Sequence, residues 1–262
     1  MALAEATVKQ LAKHLDLCQQ QVQDTTKITD DHPNMSWDDA YAVQDNLLQR
    51  KLRGGARLVG YKAGLTSHAK MQQMGVNSPV FGFLLDEYAV DEGSEIDTAT
   101  LIHPKVEPEI CFVTRNDLKG PGCNIAQVLA ACDLVLPGIE VIDSRYRNFN
   151  FDLKSVISDN TSAARYIVGG HARAVRSLDL ATTGIVLEKN GQQVAFGAGA
   201  AVLGNPAVAV SMLVNHLGKR GQVLPAGSLV LSGGVTAAIA VDAGDNITLR
   251  VQDMGSVSVR FR

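Results

Sequence analysis

Lys105-Val106-Glu107-Pro108-Glu109-Ile110-Cys111-Phe112-Val113 and Leu134-Val135-Leu136-Pro137-Gly138-Ile139-Glu140-Val141-Ile142 decide the reading of this chain. Both runs are apolar and rich in Val and Ile, the pattern of largely buried strands. Residues two apart on a strand share a face, so Glu107 and Glu109 project side by side. Acidic side chains are rarely buried unless they are paired or bind a cation. Glu140, in the second apolar run, completes an all-oxygen ligand set suited to a hard divalent ion such as Mg2+ or Mn2+. The plain alternative is solvated charge on edge strands, where Pro108 is tolerated.

Outward from these strands the chain divides unevenly. Leu3 to Val22 carries Val8, Leu11, Leu15, Leu17 and Val22 at helical spacing. Ser36-Trp37-Asp38-Asp39 reads as a capping box that opens a helix through Tyr41, Val43, Leu47 and Leu48, ending near Gly54-Gly55. The spacing predicts a strand over 56–62 and a short helix from Ser67 to Met74, stopped by Gly75. Strands are then expected over 80–84, 106–114, 134–143, 165–169, 183–188, 193–196, 228–232, 246–251 and 256–261. Asn190-Gly191 marks a hairpin between two of them. Helices interrupt at Asn124 to Cys132 and from about Pro206 to Arg220, where Pro suits a first turn. Strict strand–helix alternation is absent, which argues against a doubly wound sheet. The expectation is an α+β fold: 1–78 a mainly helical N-terminal part that contributes Lys62, and 79–262 a β-rich metal-binding domain.

The 262 residues are 46% hydrophobic and 19% charged, with net charge −3 and pI near 6.1. Such a balance points away from nucleic acid or an anionic membrane as the main partner. The apolar stretch from Ala198 to Val214 is broken by Gly204, Asn205 and Pro206, and the first residues lack a basic region followed by an apolar one. The expected location is the cytoplasm. Cys18, Cys111, Cys123 and Cys132 form no CxxC pair and read as reduced, buried thiols.

Gly197-Ala198-Gly199-Ala200-Ala201-Val202 fails the GxGxxG spacing, because Val202 stands where the third Gly is needed. Lys62 ends an apolar strand. It either snorkels to solvent or, desolvated beside carboxylates, serves as a charged catalytic group. Asp143-Ser144-Arg145 and Asp159-Asn160 are polar turns, equally suited to caps or to a site.

Together these residues resemble the metal-dependent 2-oxo acid decarboxylases and hydratases of the fumarylacetoacetate hydrolase superfamily. The likeness runs nearly end to end. It is carried by Gly60-Tyr61-Lys62-Ala63-Gly64-Leu65-Thr66-Ser67, Pro104 to Ile110, Leu136 to Arg145, Ser158-Asp159-Asn160, and the C-terminal Gly244-Asp245-Asn246-Ile247 and Gly255-Ser256-Val257. The resemblance implies mixed strands rolled into a sandwich-like barrel with helices outside. It implies Mg2+ or Mn2+ on Glu107, Glu109 and Glu140, Lys62 close to the substrate, and a pocket lined by Leu65 and Thr66, with Ser162 and Thr236 as further substrate contacts.

The hydratases of this family usually carry Pro-Asp-Phe-Gly where this chain has Pro79-Val80-Phe81-Gly82. Val80 cannot exchange a proton with water. That difference, with Tyr146 to Asp152 and Gly233 to Ala238, places the likeness on the decarboxylase side. The implied reaction is loss of CO2 from 2-oxohex-3-enedioate in catechol meta-cleavage, and the implied partner is a 2-hydroxypentadienoate hydratase, alongside a possible homo-oligomer. A hydratase or C–C hydrolase on the same scaffold, and a non-catalytic partner subunit, are the competing readings.

Overall fold

The computed structural model describes residues 2–73 and 75–262. Three helices come first: α1 (Glu5–Gln20), α2 (Ile28–Asp31) and α3 (Trp37–Arg53). Val8, Leu11, Ala12 and Leu15 form the buried stripe of α1. The capping box of α3 is present: Asp39 N–H donates to Ser36 Oγ at 3.1 Å, and Ser36 N–H donates to Asp39 Oδ2 at 2.8 Å. Asp38 and Asp39 sit in its first turn and Arg50, Lys51 and Arg53 in its last, matching the helix dipole. Asp16 of α1, buried, pairs with Arg50 at 3.0 Å and Lys51 at 3.2 Å and fixes the two helices together.

The rest is mostly strands, interrupted by a few helices: β1 (Leu58–Gly64), α4 (His68–Gln73), β2 (Val80–Leu85), β3 (Glu95–Ile96), β4 (Lys105–Thr114), α5 (Ile125–Ala131), β5 (Cys132–Ile142), α6 (Leu153–Ser158), β6 (Ala163–Val168) and β7 (Arg173–Ala174). Then follow β8 (Gly184–Lys189), β9 (Gln192–Ala198), α7 (Pro206–Lys219), β10 (Leu229–Leu231), β11 (Ile239–Ala240), β12 (Asn246–Val251) and β13 (Gly255–Phe261). One sheet runs β2-β1-β10-β4-β5-β6, with β11 added to β4 and β7 to β5; a second runs β3-β13-β12-β8-β9. This is the expected α+β roll. The hairpin at Asn190-Gly191 has both residues left-handed, at φ 56° and 75°, as a type I′ turn requires.

Two cores flank the main sheet. Val106, Ile110 and Phe112 point into the core shared with β12, β13, α5 and α7. Cys111 and Leu231 point the other way, into the core made with α1 and α3. Glu107 and Glu109 share the face of Cys111, so the carboxylates lie on the side that the N-terminal helices cover. Residues 1–78 also contribute β1, which lies between β2 and β10 in the main sheet.

Several boundaries differ from the sequence expectation. The predicted helix end at Met74 lies outside the described residues; α4 is His68–Gln73. Helix α5 stops at Ala131 because β5 begins at Cys132 with no loop between. Helix α6, capped by Asp152, is only six residues long, too short for its periodicity to be legible. Gly199–Lys219, broken in the sequence reading, is a run long and apolar enough by composition to cross a membrane; 56% of its apolar window is buried inside the protein, as the core helix α7. All four cysteines are unpaired and buried.

Candidate metal centre

β4 and β5 pair antiparallel with Glu107 directly opposite Glu140 and Glu109 opposite Gly138. Both strands lie inside the sheet rather than at its edge. Pro108 is accommodated because the far side of β4 is locally unpaired. β10 ends opposite Cys111 and β11 begins opposite Val106. Between them the chain bulges over the carboxylates, held by Ser232 Oγ donating to Ile110 O at 2.7 Å and Val235 N–H donating to Pro108 O at 2.9 Å.

The ligand atoms of Glu107, Glu109 and Glu140 all lie within 4.8 Å of one another. Glu109 and Glu140 are fully buried and Glu107 is partly exposed. Gly233 N–H donates to Glu109 Oε2 at 2.6 Å. Gly233 has φ +106°, and a Cβ there would stand 2.1 Å from Thr66 Oγ1, so only glycine brings that amide onto the carboxylate.

Lys62, from β1, is 2% exposed, which settles the choice between snorkelling and desolvation. Its Nζ lies 2.9 Å from Glu140 Oε2 and donates to Thr161 O at 3.2 Å. Burial opposes its charge, but Glu140, Glu107 and Glu109 outweigh that and hold the ammonium above its ordinary range. Burial, and then repulsion from Glu140, pushes the Glu109 carboxyl well up. Burial likewise raises Glu140, with Lys62 opposing and Glu107 adding to the rise.

Glu109 Oε1 and Glu140 Oε1 are buried with no hydrogen-bond donor, and Glu140 Oε2 has the Lys62 ammonium 2.9 Å away. Three converging carboxylates with one ammonium leave excess negative charge in a desolvated site. A hard divalent cation fits this donor set and would complete the orphaned oxygens.

The turn Asn160-Thr161-Ser162 closes one wall. All three residues are left-handed, at φ 50°, 49° and 61°, and such strain persists only where the surroundings fix it. Asn160 fixes it from one side, acting as an extra strand on β2. Its Nδ2 donates to Phe83 O at 3.0 Å and its Oδ1 accepts from Phe83 N–H at 2.8 Å. Arg145 fixes it from behind. Fully buried, Arg145 pairs through Nε with Asp159 Oδ1, and donates to Asp143 O and Asp159 O, each at 2.6 Å. Thr161 Oγ1 and Ser162 Oγ are buried without a partner.

Of the residues singled out in the sequence, the structure gathers Lys62, Glu107, Glu109 and Glu140 in one centre. Thr66 packs under Gly233, Leu65 bends left-handed at φ 60° just beyond β1, and Ser162 sits in the strained turn. The Thr236 hydroxyl instead donates to Ala237 O at 3.1 Å, in the outer part of the bulge. Val80 is buried near Lys62: a Cβ on Gly64 would lie 3.4 Å from Val80 Cγ2 and 3.8 Å from Lys62 Nζ. Sequence reasoning missed the Gly233 amide and Thr161. The Gly-Gly dipeptide directly after a strand was the available signal for the first.

The mixed roll shares its fold with a fumarylacetoacetate hydrolase family protein of Yersinia pestis, at TM-score 0.58 and 14% identity, covering 77% of this chain and 92% of that one, and its buried carboxylates form a site that could hold a divalent metal. No family model matches the chain. It is 54% identical to a 4-oxalocrotonate decarboxylase of Pseudomonas sp. strain CF600, covering 99% of this chain and 98% of that one. It is 36% identical to a 2-hydroxyhexa-2,4-dienoate hydratase of Comamonas testosteroni over 89% of each. A solved structure of 4-oxalocrotonate decarboxylase from Pseudomonas putida G7, complexed with magnesium and adipate, superposes with TM-score 0.98 at 50% identity and 99% coverage of both chains. The fold alone extends to a fumarylpyruvate hydrolase from Pseudomonas aeruginosa, at TM-score 0.60 and 17% identity, covering 78% of this chain and 89% of that one. The chain belongs to the 4-oxalocrotonate decarboxylase family, with the dienoate hydratases as more distant relatives.

Proposed function

We propose that this protein decarboxylates 2-oxohex-3-enedioate to 2-hydroxypenta-2,4-dienoate. The observation that carries the reading is the Glu107–Glu109–Glu140 cluster with buried Lys62 beside it, in a chain 54% identical to a decarboxylase of this name. The three glutamates would hold Mg2+ or Mn2+, which when bound supplies positive charge for the oxygens of a 2-oxo acid.

The substrate is a vinylogous β-keto acid. Breaking its C5–C6 bond releases CO2, and the electron pair passes through C3=C4 toward the C2 oxygen. Charge developing there needs a fixed positive group. Lys62 has three N–H donors; one is directed at Thr161 O and one side faces Glu140 Oε2, which leaves a direction for a substrate oxygen or for delivery of a proton. Leu65 and Thr66 line the pocket in this reading, with Ser162 and Thr236 as further contacts and the Thr161 hydroxyl as an added donor. Val80 presents methyl groups near Lys62 where a hydratase needs a residue that handles water. Residues 1–78 act as a helical cover that delivers Lys62, and 79–262 supply the carboxylates.

The product is the compound on which the relatives named 2-hydroxypent-2,4-dienoate hydratase act, and we propose transfer to such a hydratase in a complex, in the cytoplasm. The test supplies 2-oxohex-3-enedioate with Mg2+ and measures CO2, then supplies 2-hydroxypenta-2,4-dienoate and measures hydration. Release of CO2 that stops with chelator, without hydration, is the expected result. Efficient hydration without CO2 release assigns the chain to the hydratases.

A further inference from the structure

The strand that bears two of the carboxylates continues their row with a cation. His103, Lys105, Glu107 and Glu109 alternate along one face as the chain enters and follows β4. Glu109 and Glu140 are sealed, whereas Glu107, the neighbour of Lys105 in this row, is partly exposed. Along this row, then, burial is complete at Glu109 and partial at Glu107 and Lys105. Lys105 is half-buried, and among the described residues no carboxylate forms an ion pair with it. Its Nζ lies 4.0 Å from the centroid of the Phe149 ring.

Phe149 is held in place for this contact. His103 packs against it at 4.8 Å and Phe151 at 6.3 Å between ring centroids. Asn148 and Phe149 are both left-handed, at φ 56° and 55°, and Phe149 N–H donates to the carbonyl of buried Tyr146 at 3.0 Å. Non-glycine residues keep that conformation only where packing imposes it. A ring face attracts an ammonium but accepts no conventional hydrogen bond from it, so the lysine retains donors for an anion.

We infer that Lys105, positioned by Phe149, receives the distal carboxylate of a 2-oxo dicarboxylic acid and makes the site select diacids over monoacids. The inference rests on the decarboxylase reading for the location of the 2-oxo end at the glutamates. Two residues of strand separate Lys105 from Glu107 by roughly 6.6 Å of backbone, and a flexible lysine stem adapts that spacing to a six-carbon diacid. A tight ion pair on the departing carboxylate would oppose its loss as neutral CO2. Sharing the ammonium with an aromatic ring gives recognition without a full ion pair, and loss of CO2 then removes the anion that held the ligand at this end.

The test is calorimetric binding of 2-oxohexanedioate and 2-oxohexanoate to the Mg2+-loaded protein, read without turnover. Wild type is expected to prefer the diacid by about 10- to 100-fold, the range of a charge-assisted hydrogen bond. In Lys105→Met the diacid weakens by that factor, while the monoacid changes by less than about threefold, under 1 kcal/mol. Lys105→Arg keeps the preference, and Phe149→Leu loses part of it. Lys105→Gln serves if the Met variant does not fold. A diacid preference that survives in the Met or Gln variant, or equal weakening of both acids, overturns the inference. Failure of wild type to release CO2 from 2-oxohex-3-enedioate removes the decarboxylase reading instead and leaves this binding comparison intact.

Discussion

Glu109→Gln separates the cost of the carboxylate cluster from its use. At 4.8 Å and an effective dielectric of about 20, each like-charge pair in the cluster costs about 3 kcal/mol. Neutralising Glu109 removes two such repulsions, toward Glu107 and Glu140, and one attraction of similar size toward Lys62. Burial and the neighbouring carboxylates shift the Glu109 carboxyl upward, toward its neutral form, which lowers this difference. The net gain for the metal-free variant is about 1–3 kcal/mol, and its amide oxygen still accepts from Gly233. The wild type, given Mg2+ at 100 times its dissociation constant, gains about 2.7 kcal/mol, which for a chain of this size is about 5–10 °C in melting temperature. Thermal unfolding with chelator and with Mg2+, alongside CO2 release, checks both halves. The variant melts at or above wild type in chelator, gains little from Mg2+ and loses turnover. A variant that is markedly less stable in chelator, or that responds to Mg2+ as wild type does, refutes the reasoning.

Three further outcomes follow from the scaffold around the centre. Arg145→Met leaves Asp159 buried without its partner, at a cost of about 3–5 kcal/mol. Burial already raises Asp159 to about 6 despite Arg145, so its folded form binds the proton more readily than the unfolded chain. Stability therefore falls as pH rises through that window, and the variant's deficit in urea unfolding is larger at pH 8 than at pH 5. Gly233→Ala forces a Cβ against Thr66 at φ +106°; the expected cost is about 1–3 kcal/mol with displacement of the amide from Glu109, read as a lower melting temperature and weaker Mg2+ response. His216, packed between Tyr41 and Phe81, is lowered to about 4, mainly by burial. The unfolded chain takes up its proton first, so the stability tied to this residue is complete above pH 6.5 and is lost as pH falls toward 4. His216→Phe should flatten that acid limb by about 2–3 kcal/mol in unfolding measured from pH 7 to pH 4.5.

The carboxylate cluster was legible because its information is local. Period-two spacing put Glu107 and Glu109 on one face, and an acid inside each of two apolar strands demanded a partner. Lys62 was ambiguous from its own segment. Its burial depends on the parallel pairing of β1 with β10, which no nearby residue encodes. Ser162 stood out only by resemblance, and Thr161 not at all, since Asn160-Thr161-Ser162 holds a left-handed path that none but Asn favours intrinsically. The turn is imposed by Arg145, acting through Asp159, and by Phe83, partners distant in the sequence. The small strands β3, β7 and β11 are two residues each, too short for any alternation to register.

The placement of the carboxylates on one antiparallel hairpin has a consequence for the order of assembly. β4 and β5 are consecutive strands joined through α5, whereas β1 must find β10 across most of the chain, a slow non-local closure. A folding intermediate that has closed the hairpin but not docked β1 carries all three acids without their lysine. In such a state the three acids repel one another without the ammonium that offsets them in the finished site, so docking of β1 is what completes the charge balance of the cluster.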